Sequence, residues 1–476
     1  MSTLINKTKN GLLWSALERI FAQSIQLIVT LILARILGPT NFGLVGLLVI
    51  FISIANVFID GGFSSALIRK LDRNNNDLTT AFYYNIAMSI LCYFLIYITA
   101  PYIAIYYQQL ELQSLLRVLG ISILFNSFAL IPRTILSIHM DFKTQAKVSI
   151  ISIIISGCIA IILALYNFGV WALVAQSIVS ACCTSFLFKY FLKWKSEGRL
   201  SKESFNYLFN FGNKLLISGL LDTIYNNLYQ IIIGKKFDFR TVGEFTQANQ
   251  LSSIPAITLT NIIQRVTYPM FSQIQNDDQR ISDIYSITLK IAALVIFPII
   301  MGLALVAKPL LKIILGNEWS AASILLSILC IGFMLYPIHA INLNLLQVKG
   351  RSDLFLKLEL FKKIIGISIL LVTTPYGIQA MCIGFTVTSY LSLYLNTYYT
   401  AKLTKISQLK QCKDLLPIWG AVMISSIFGY IFGSALEDTP WLQLTVSLTM
   451  AFICYFSYLI LAQKAQITYL WSLLRS

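Results

Sequence analysis

Apolar runs of about 20–25 residues recur from one end of the chain to the other, separated by short polar loops. Each is long enough to cross a lipid bilayer as a helix, which satisfies its own backbone hydrogen bonds where no water is present. The pattern predicts an all-α polytopic membrane protein of about fourteen helices. Their expected extents are 12–36, 42–66, 79–103, 115–138, 144–166, 169–192, 207–235, 243–271, 283–307, 320–347, 354–374, 377–401, 415–436 and 440–463. The eleventh begins with Lys357, Glu359, Lys362 and Lys363, so part of it is expected to lie along the interface. The longest polar stretch, Lys193 to Asn206, leaves no room for a soluble domain.

Composition sharpens this picture. The chain is 57% hydrophobic and 12% charged, against about 25% charged for soluble domains. MSTLINKTKNG leads into the first span without a small-residue cleavage site, so no signal peptide is expected. The net charge of +16 resides in short loops, which argues against a nucleic-acid partner. One set of loops carries most of the Lys and Arg, including Lys7, Arg69, Lys143, Lys193, Lys349 and Lys405. The other has few, mainly Lys235, Lys236, Arg240, Lys308 and Lys312. Basic short loops stay cytoplasmic, so both termini are expected inside. The eight cysteines lie mostly in apolar runs without a CxxC pair, and the histidines are only His139 and His339. No metal or other cofactor is expected, and the cysteines read as small buried hydrophobes.

The chain resembles itself at an offset near 200. Leu33–Gly46 (LARILGPTNFGLVG) lies over Ile233–Thr246 (IGKKFDFRTVGEFT), matching Gly43 with Gly243. Tyr166–Val179 lies over Thr374–Val387. Six spans separate the copies, an even number, so the repeats are parallel about an axis along the membrane normal. The expected organisation is an N-terminal lobe, 1–195, a cytoplasmic linker, 196–206, a second six-helix lobe, 207–403, and two additional C-terminal helices, 404–476. Two such bundles can enclose a central cavity.

Polar residues fall in repeat-related stripes. Glu18, Ala22, Gln26 and Thr30 are spaced by four, with Arg19 and Gln23 beside them; Lys214, Ser218, Asp222, Asn226 and Gln230 repeat the spacing. The second span has Ser53, Asn56, Asp60 and Ser64, and the eighth has Gln250, Ser253, Thr260, Asn261, Gln264 and Arg265. Such spacing places side chains on one helix face. Facing lipid, one central charge costs about 2.5–3.5 kcal/mol on insertion scales, so the stripes are expected to border water, Asp60 included. The alternative is helix-to-helix glue at roughly 0.6 kcal/mol per contact. Arg19, Arg133, Lys214 and Arg265 lie within spans, and a guanidinium grips phosphate oxygens at two points; snorkelling to headgroups is the other reading. Nothing resembles a catalytic triad, a DxD pair or a nucleotide loop, so the chain is not expected to be an enzyme.

At LGPTNFGLVG, DGGFSSALIRK, GVWALVAQ, YPMFSQIQNDDQR and LLQVKGRSDLFLKLE the chain resembles the polysaccharide-transporter branch of the multidrug/oligosaccharidyl-lipid/polysaccharide exporter superfamily, nearest to Wzx-type flippases of the colanic and teichuronic acid kind. The resemblance implies a two-lobed bundle in the bacterial inner membrane. Its implied task is to move undecaprenyl-diphosphate-linked repeat units to the periplasmic leaflet by alternating access, beside a polymerase and a chain-length regulator. It also implies cavity cations on the diphosphate, for which Arg19, Arg133, Lys214 and Arg265 are candidates. Glu18, Gln23, Gln26, Asn56, Asp60, Asp222, Asn226, Gln230, Gln250, Asn261 and Gln264 remain for sugars or ion coupling. Many relatives have twelve helices, and the last two here either extend a lipid-facing groove or pad the second lobe. A multidrug or cation antiporter and a lipid II flippase are the rival readings, with a membrane-embedded polymerase or ligase more distant.

Overall fold

A computed structural model describes residues 2–404 and 406–463, with the side chains of residues 2–20, 265, 266 and 352 outside the description. Among the described residues the chain is helical without strands. In order the helices are α1 (Ser2–Asp60), α2 (Phe63–Arg69), α3 (Asn75–Tyr106), α4 (Glu111–Leu119), α5 (Ile121–Ile138), α6 (Phe142–Leu165), α7 (Val170–Leu192) and α8 (Lys202–Lys236). They continue with α9 (Phe239–Gln273), α10 (Asp278–Leu305), α11 (Ala307–Ile314), α12 (Ser320–Phe333), α13 (Tyr336–Val348), α14 (Ser352–Thr373), α15 (Ile378–Leu403), α16 (Gln408–Ser434) and α17 (Pro440–Ala462).

Each of the fourteen expected spans lies mostly in helix, with 42–66, 115–138 and 320–347 interrupted by short turns. The first two are the limbs of α1, divided at Gly38, whose φ of 71° and ψ of 173° break the helix just before Pro39. Proline suits the start of the second limb, because its missing N–H would have no helical partner there. Among the described residues, ten helical segments are long and apolar enough to cross a membrane, the first of them, Phe21–Arg69, holding both limbs. The spans outside that set are α8, α9 and α14, the two with long polar stripes and the one with the charged start. Several helix starts are fixed by side-chain caps: Asn74 and Asp77 form a reciprocal capping box on α3, and Asp141, Ser201 and Ser407 cap α6, α8 and α16.

The chain divides into two compact units, Met1–Gly243 and Glu244–Ser476. In the first, α6 packs on α1 and α7, while α5 joins α3 to α7. A core around Leu47, Ile59, Leu116 and Val174 excludes solvent. Helix α8, assigned by the repeat to the second lobe, packs here against α1, α2 and α3. Glycine makes that approach possible: a Cβ on Gly212 would sit 2.3 Å from the Gly61 carbonyl oxygen, and one on Gly62 would sit 2.7 Å from the Gly212 carbonyl oxygen. Also inside this unit, Gly43 and Gly243 meet reciprocally. A Cβ on Gly43 would lie 1.7 Å from the Phe239 oxygen, and one on Gly243 would lie 1.9 Å from the Pro39 oxygen. Residues 39 and 239 are themselves matched by the repeat, so the two contacts exchange as in a local two-fold.

In the second unit α10 packs on α12 and α16, α15 on α12, α13 and α14, and α16 on α17. The cysteines do not all behave as buried hydrophobes: Cys92, Cys330 and Cys382 are buried, whereas Cys158 and Cys412 are exposed. Cys158 lies within α6, and Cys412 lies near the start of α16 between Lys410 and Lys413.

Candidate functional site

The acidic residue in FIDGGFSS closes the second limb of α1. Gly61 and Gly62 follow with φ of 54° and 75°, and α2 begins at Phe63. Only glycine takes two successive left-handed positions at no steric cost. The half-buried Asp60 carboxylate spans the break, accepting from the Gly62 N–H at 3.1 Å and from the Ser64 hydroxyl. The freed carbonyls at the end of the limb are also covered. Tyr84 Oη donates to Phe58 O at 3.5 Å, and the buried Asn85, with its amide nitrogen turned toward the limb, donates to Ile59 O at 2.8 Å. Asp60 is therefore held as a capping carboxylate at a broken helix, a role the stripe pattern did not indicate.

Helix α8 carries the most open stripe. Lys214, Ser218, Asp222 and Asn226 are all exposed at four-residue intervals, and Gln230 is half-buried. On α1, Gln23, Gln26 and Asn56 are half-buried, and Gln26 Nε2 donates to Thr30 Oγ1 at 3.4 Å. Glu18, Arg19 and Arg265 lie outside the described side chains. Arg133 is placed elsewhere, exposed on α5 with its guanidinium 5.8 Å from the Phe188 ring of α7.

The polar positions of α9 divide. Gln250 and Asn261 are half-buried. Gln264 Nε2 reaches Asn344 Oδ1 at 3.3 Å, and Asn344 Nδ2 reaches Thr267 Oγ1 at 3.4 Å, so Gln264 helps join α9 to α13.

A buried polar cluster of the second unit was missed from sequence. Tyr285 of α10 donates to Asn342 Oδ1 of α13 at 2.7 Å and contacts Gln411 Oε1 of α16 at 3.0 Å. Thr400 of α15 donates to the same Asn342 oxygen at 2.6 Å. Nearby, the His339 ring bridges Asn396 and Ser389 at 3.2 and 3.1 Å. Lys290 of α10 pairs with Asp414 of α16 at 2.8 Å, and Ser286 donates to the other carboxylate oxygen. The signal was available: Asn396 and Thr400 stand four apart in an apolar run, a spacing that selects one helix face. Among the described residues, no three His, Cys, Asp or Glu side chains come together as a metal site.

The second unit also has an outward recess of about 370 Å³ between α10, α16 and α17, lined by Pro298, Gly302, Val422, Leu448, Phe452 and Tyr455. Its walls are almost wholly apolar. The two C-terminal helices thus bound a groove.

Residues 32–324, more than half of the chain, match the family described as polysaccharide biosynthesis protein. The chain belongs to that family. The matched segment contains the Asp60 break, the α8 stripe and the whole of α9. Among members of known designation, the chain is 25% identical over 472 residues to the teichuronic acid biosynthesis protein TuaB of Bacillus subtilis, covering 97% of each. It is 23% identical to the lipopolysaccharide biosynthesis protein WzxC of Escherichia coli, over 83% of this chain and 80% of that one. In fold, this polysaccharide biosynthesis protein is similar to the lipid II flippase MurJ in an inward closed conformation, with TM-score 0.74 and 14% identity, covering 94% of this chain and 99% of MurJ. A multidrug resistance transporter of the MATE family gives TM-score 0.62 at 18% identity, over 82% of this chain and 99% of that one.

Proposed function

We propose that this multi-pass membrane protein is a flippase for undecaprenyl-diphosphate-linked oligosaccharide repeat units. It carries them from the cytoplasmic to the periplasmic leaflet of the bacterial inner membrane, for O-antigen, capsule or exopolysaccharide synthesis. The observation that carries this reading is the match to TuaB along nearly the whole chain, 97% of each partner. The fold is compatible with this reading: likeness to MurJ extends over 94% of the chain and likeness to the drug transporter over 82%.

In this reading fourteen helices cross the bilayer with both termini inside, and two repeat-related lobes rock about a central cavity. The exposed α8 stripe of Lys214, Ser218, Asp222 and Asn226 supplies hydrogen-bonding groups for the polar cargo. Arg19 and Arg265 are assigned to the diphosphate, with Lys214 assisting. Arg133, over an aromatic ring, is the weakest member of that set. The recess between α10, α16 and α17 suits the hydrocarbon chain of the carrier. Movement is driven by a gradient or by removal of product through a polymerase and its chain-length regulator.

The test is a deletion strain. It is expected to accumulate lipid-linked repeat units on the inner leaflet, and the wild-type gene is expected to restore export. Restoration of lipid II flipping in a MurJ-depleted host, without restored polysaccharide, would replace this reading with a cell-wall role. Arg19→Ala and Arg265→Ala are each expected to reduce export about tenfold, the loss of one charge-assisted hydrogen bond, while membrane insertion persists.

A further inference from the structure

The first unit contains a recess of about 400 Å³ at the end of α7. Phe82 and Phe128 form one wall and Phe186 another; Trp194 closes it from the α7–α8 linker, edge-on to Phe82 at 5.4 Å between ring centroids. Two exposed lysines, Lys189 and Lys195, stand on its rim. Among the described residues neither lysine is in an ion pair, although other lysines of the chain find carboxylates.

The linker that carries Trp194 and Lys195 is strapped to the start of α3. The N–H groups of Gly198, Arg199 and Ser201 donate to the side chains of Thr79, Asn76 and Thr80 at 3.1, 2.7 and 3.1 Å. A Cβ on Gly198 would meet the Asn75 carbonyl oxygen at 2.3 Å, so the strap lies directly on the α3 backbone. The recess therefore has one side made of membrane helices and the other of a fixed, basic loop at the expected cytoplasmic face.

The geometry points to a binding site for one anionic phospholipid of the cytoplasmic leaflet, its phosphate between Lys189 and Lys195 and the head of an acyl chain against the aromatic walls. The charge complementarity is direct: two ammonium groups outside any ion pair among the described residues line a slot walled by aromatic rings. Basic pockets between membrane helices on the cytoplasmic side bind anionic headgroups in this way, and indole rings settle at the same depth. Because Trp194 and Lys195 belong to the strap, the bound lipid braces the connection between α7 and α8. This site goes beyond the flippase reading and does not depend on it, since lipid occupancy is measured without transport.

Trp194 provides the probe. The full chain in phosphatidylcholine nanodiscs is titrated with phosphatidylglycerol bearing brominated chains, and the Trp194 signal is taken as the difference between wild type and Trp194→Phe. The expected result is quenching at lower mole fractions than with brominated phosphatidylcholine. Lys189→Gln and Lys195→Gln each raise the required fraction about fivefold, while Lys189→Arg and Lys195→Arg preserve it. Equal quenching by both lipids would overturn the site, as would a wild-type curve from the folded double Gln variant. Relief of quenching by equimolar undecaprenyl diphosphate would also overturn it, by assigning the recess to the carrier lipid instead.

Discussion

Helix α8 in the first unit and helices α13 and α15 in the second use similar side chains for different ends. On α8, Lys214, Ser218, Asp222 and Asn226 are exposed in sequence, one turn after another. On α13 and α15, Asn342, Asn396 and Thr400 are fully buried. There Asn342 accepts from both Tyr285 and Thr400, so one amide ties three helices together. A polar residue in an apolar run thus has two explanations, and burial separates them. Enclosed groups bonded to neighbouring helices, such as Asn342, hold the bundle; exposed groups, such as Asn226, are open to a polar occupant.

The sharpest way to break this comparison is to exchange the chemistry at one position of each kind. Asn342→Leu removes the shared acceptor and leaves the Tyr285 hydroxyl only Gln411 Oε1 and the Thr400 hydroxyl only the Asn396 carbonyl, at about 0.5–1.5 kcal/mol for each hydrogen bond lost. It is expected to lower the thermal unfolding midpoint and the folded yield from size-exclusion profiles. Asn226→Leu is expected to leave both unchanged while export of polysaccharide falls. Normal stability from the first variant, or unfolding of the second, would erase the distinction.

The glycine contact between the α1–α2 break and α8 comes next in size. Gly212→Ala directs a methyl group at the Gly61 carbonyl, where no flexible side chain can yield. Overpacking of this kind costs about 1–3 kcal/mol, and the loss should appear as a lower unfolding midpoint. An unchanged midpoint would mean that α8 is free to shift, and that its packing in the first unit is loose.

Asp60 gives a smaller effect but a cleaner choice between roles. As a cap it needs only an acceptor for Gly62 N–H and the Ser64 hydroxyl, and an asparagine in its place would still supply one. Asp60→Asn is therefore expected to retain stability and export, whereas Asp60→Leu loses about 1 kcal/mol, the usual worth of a capping side chain. Loss of transport from the stable Asn variant would instead assign a charge-dependent coupling role.

Much of the fold was legible because helix period and span length are local properties. The Gly-Pro break at 38–39, the limbs of α1 and the match of Gly43 with Gly243 all follow from short stretches of sequence. The pairing of helices was harder to read, since it depends on residues distant in the chain. Lys290 and Asp414 are 124 positions apart, and neither sequence neighbourhood names the other. Asp60 was misleading for a related reason. Its four-residue spacing from Asn56 and Ser64 fits a stripe on a continuous helix, but Gly61 and Gly62 end that helix, and the Ser64 contact becomes a cap across a turn. The α8 residues Lys214, Ser218, Asp222 and Asn226 share exposure because spacing alone sets which residues share a face.

The smallest effect concerns the ion pair at the other end of α2. Lys70 bonds both oxygens of Asp77 at 2.9 and 2.8 Å, and its ammonium lies 5.0 Å from the Tyr207 ring of α8. The hydrogen bond to Asp77 raises the Lys70 pKa above its ordinary value of 10.5, against the opposing effect of burial. A raised lysine contributes fully below pH 10.5 and loses its contribution as pH climbs through the higher folded value. The stability difference between wild type and Lys70→Met is expected to stay level from pH 7 to pH 10 and to shrink beyond 10.5. Chemical denaturation at stepped alkaline pH checks this. A difference that stays constant into that range would assign the effect to packing of the lysine stem on Tyr207. The polar groups at the open end of α8 would then act through contact area, as those of the second unit do not.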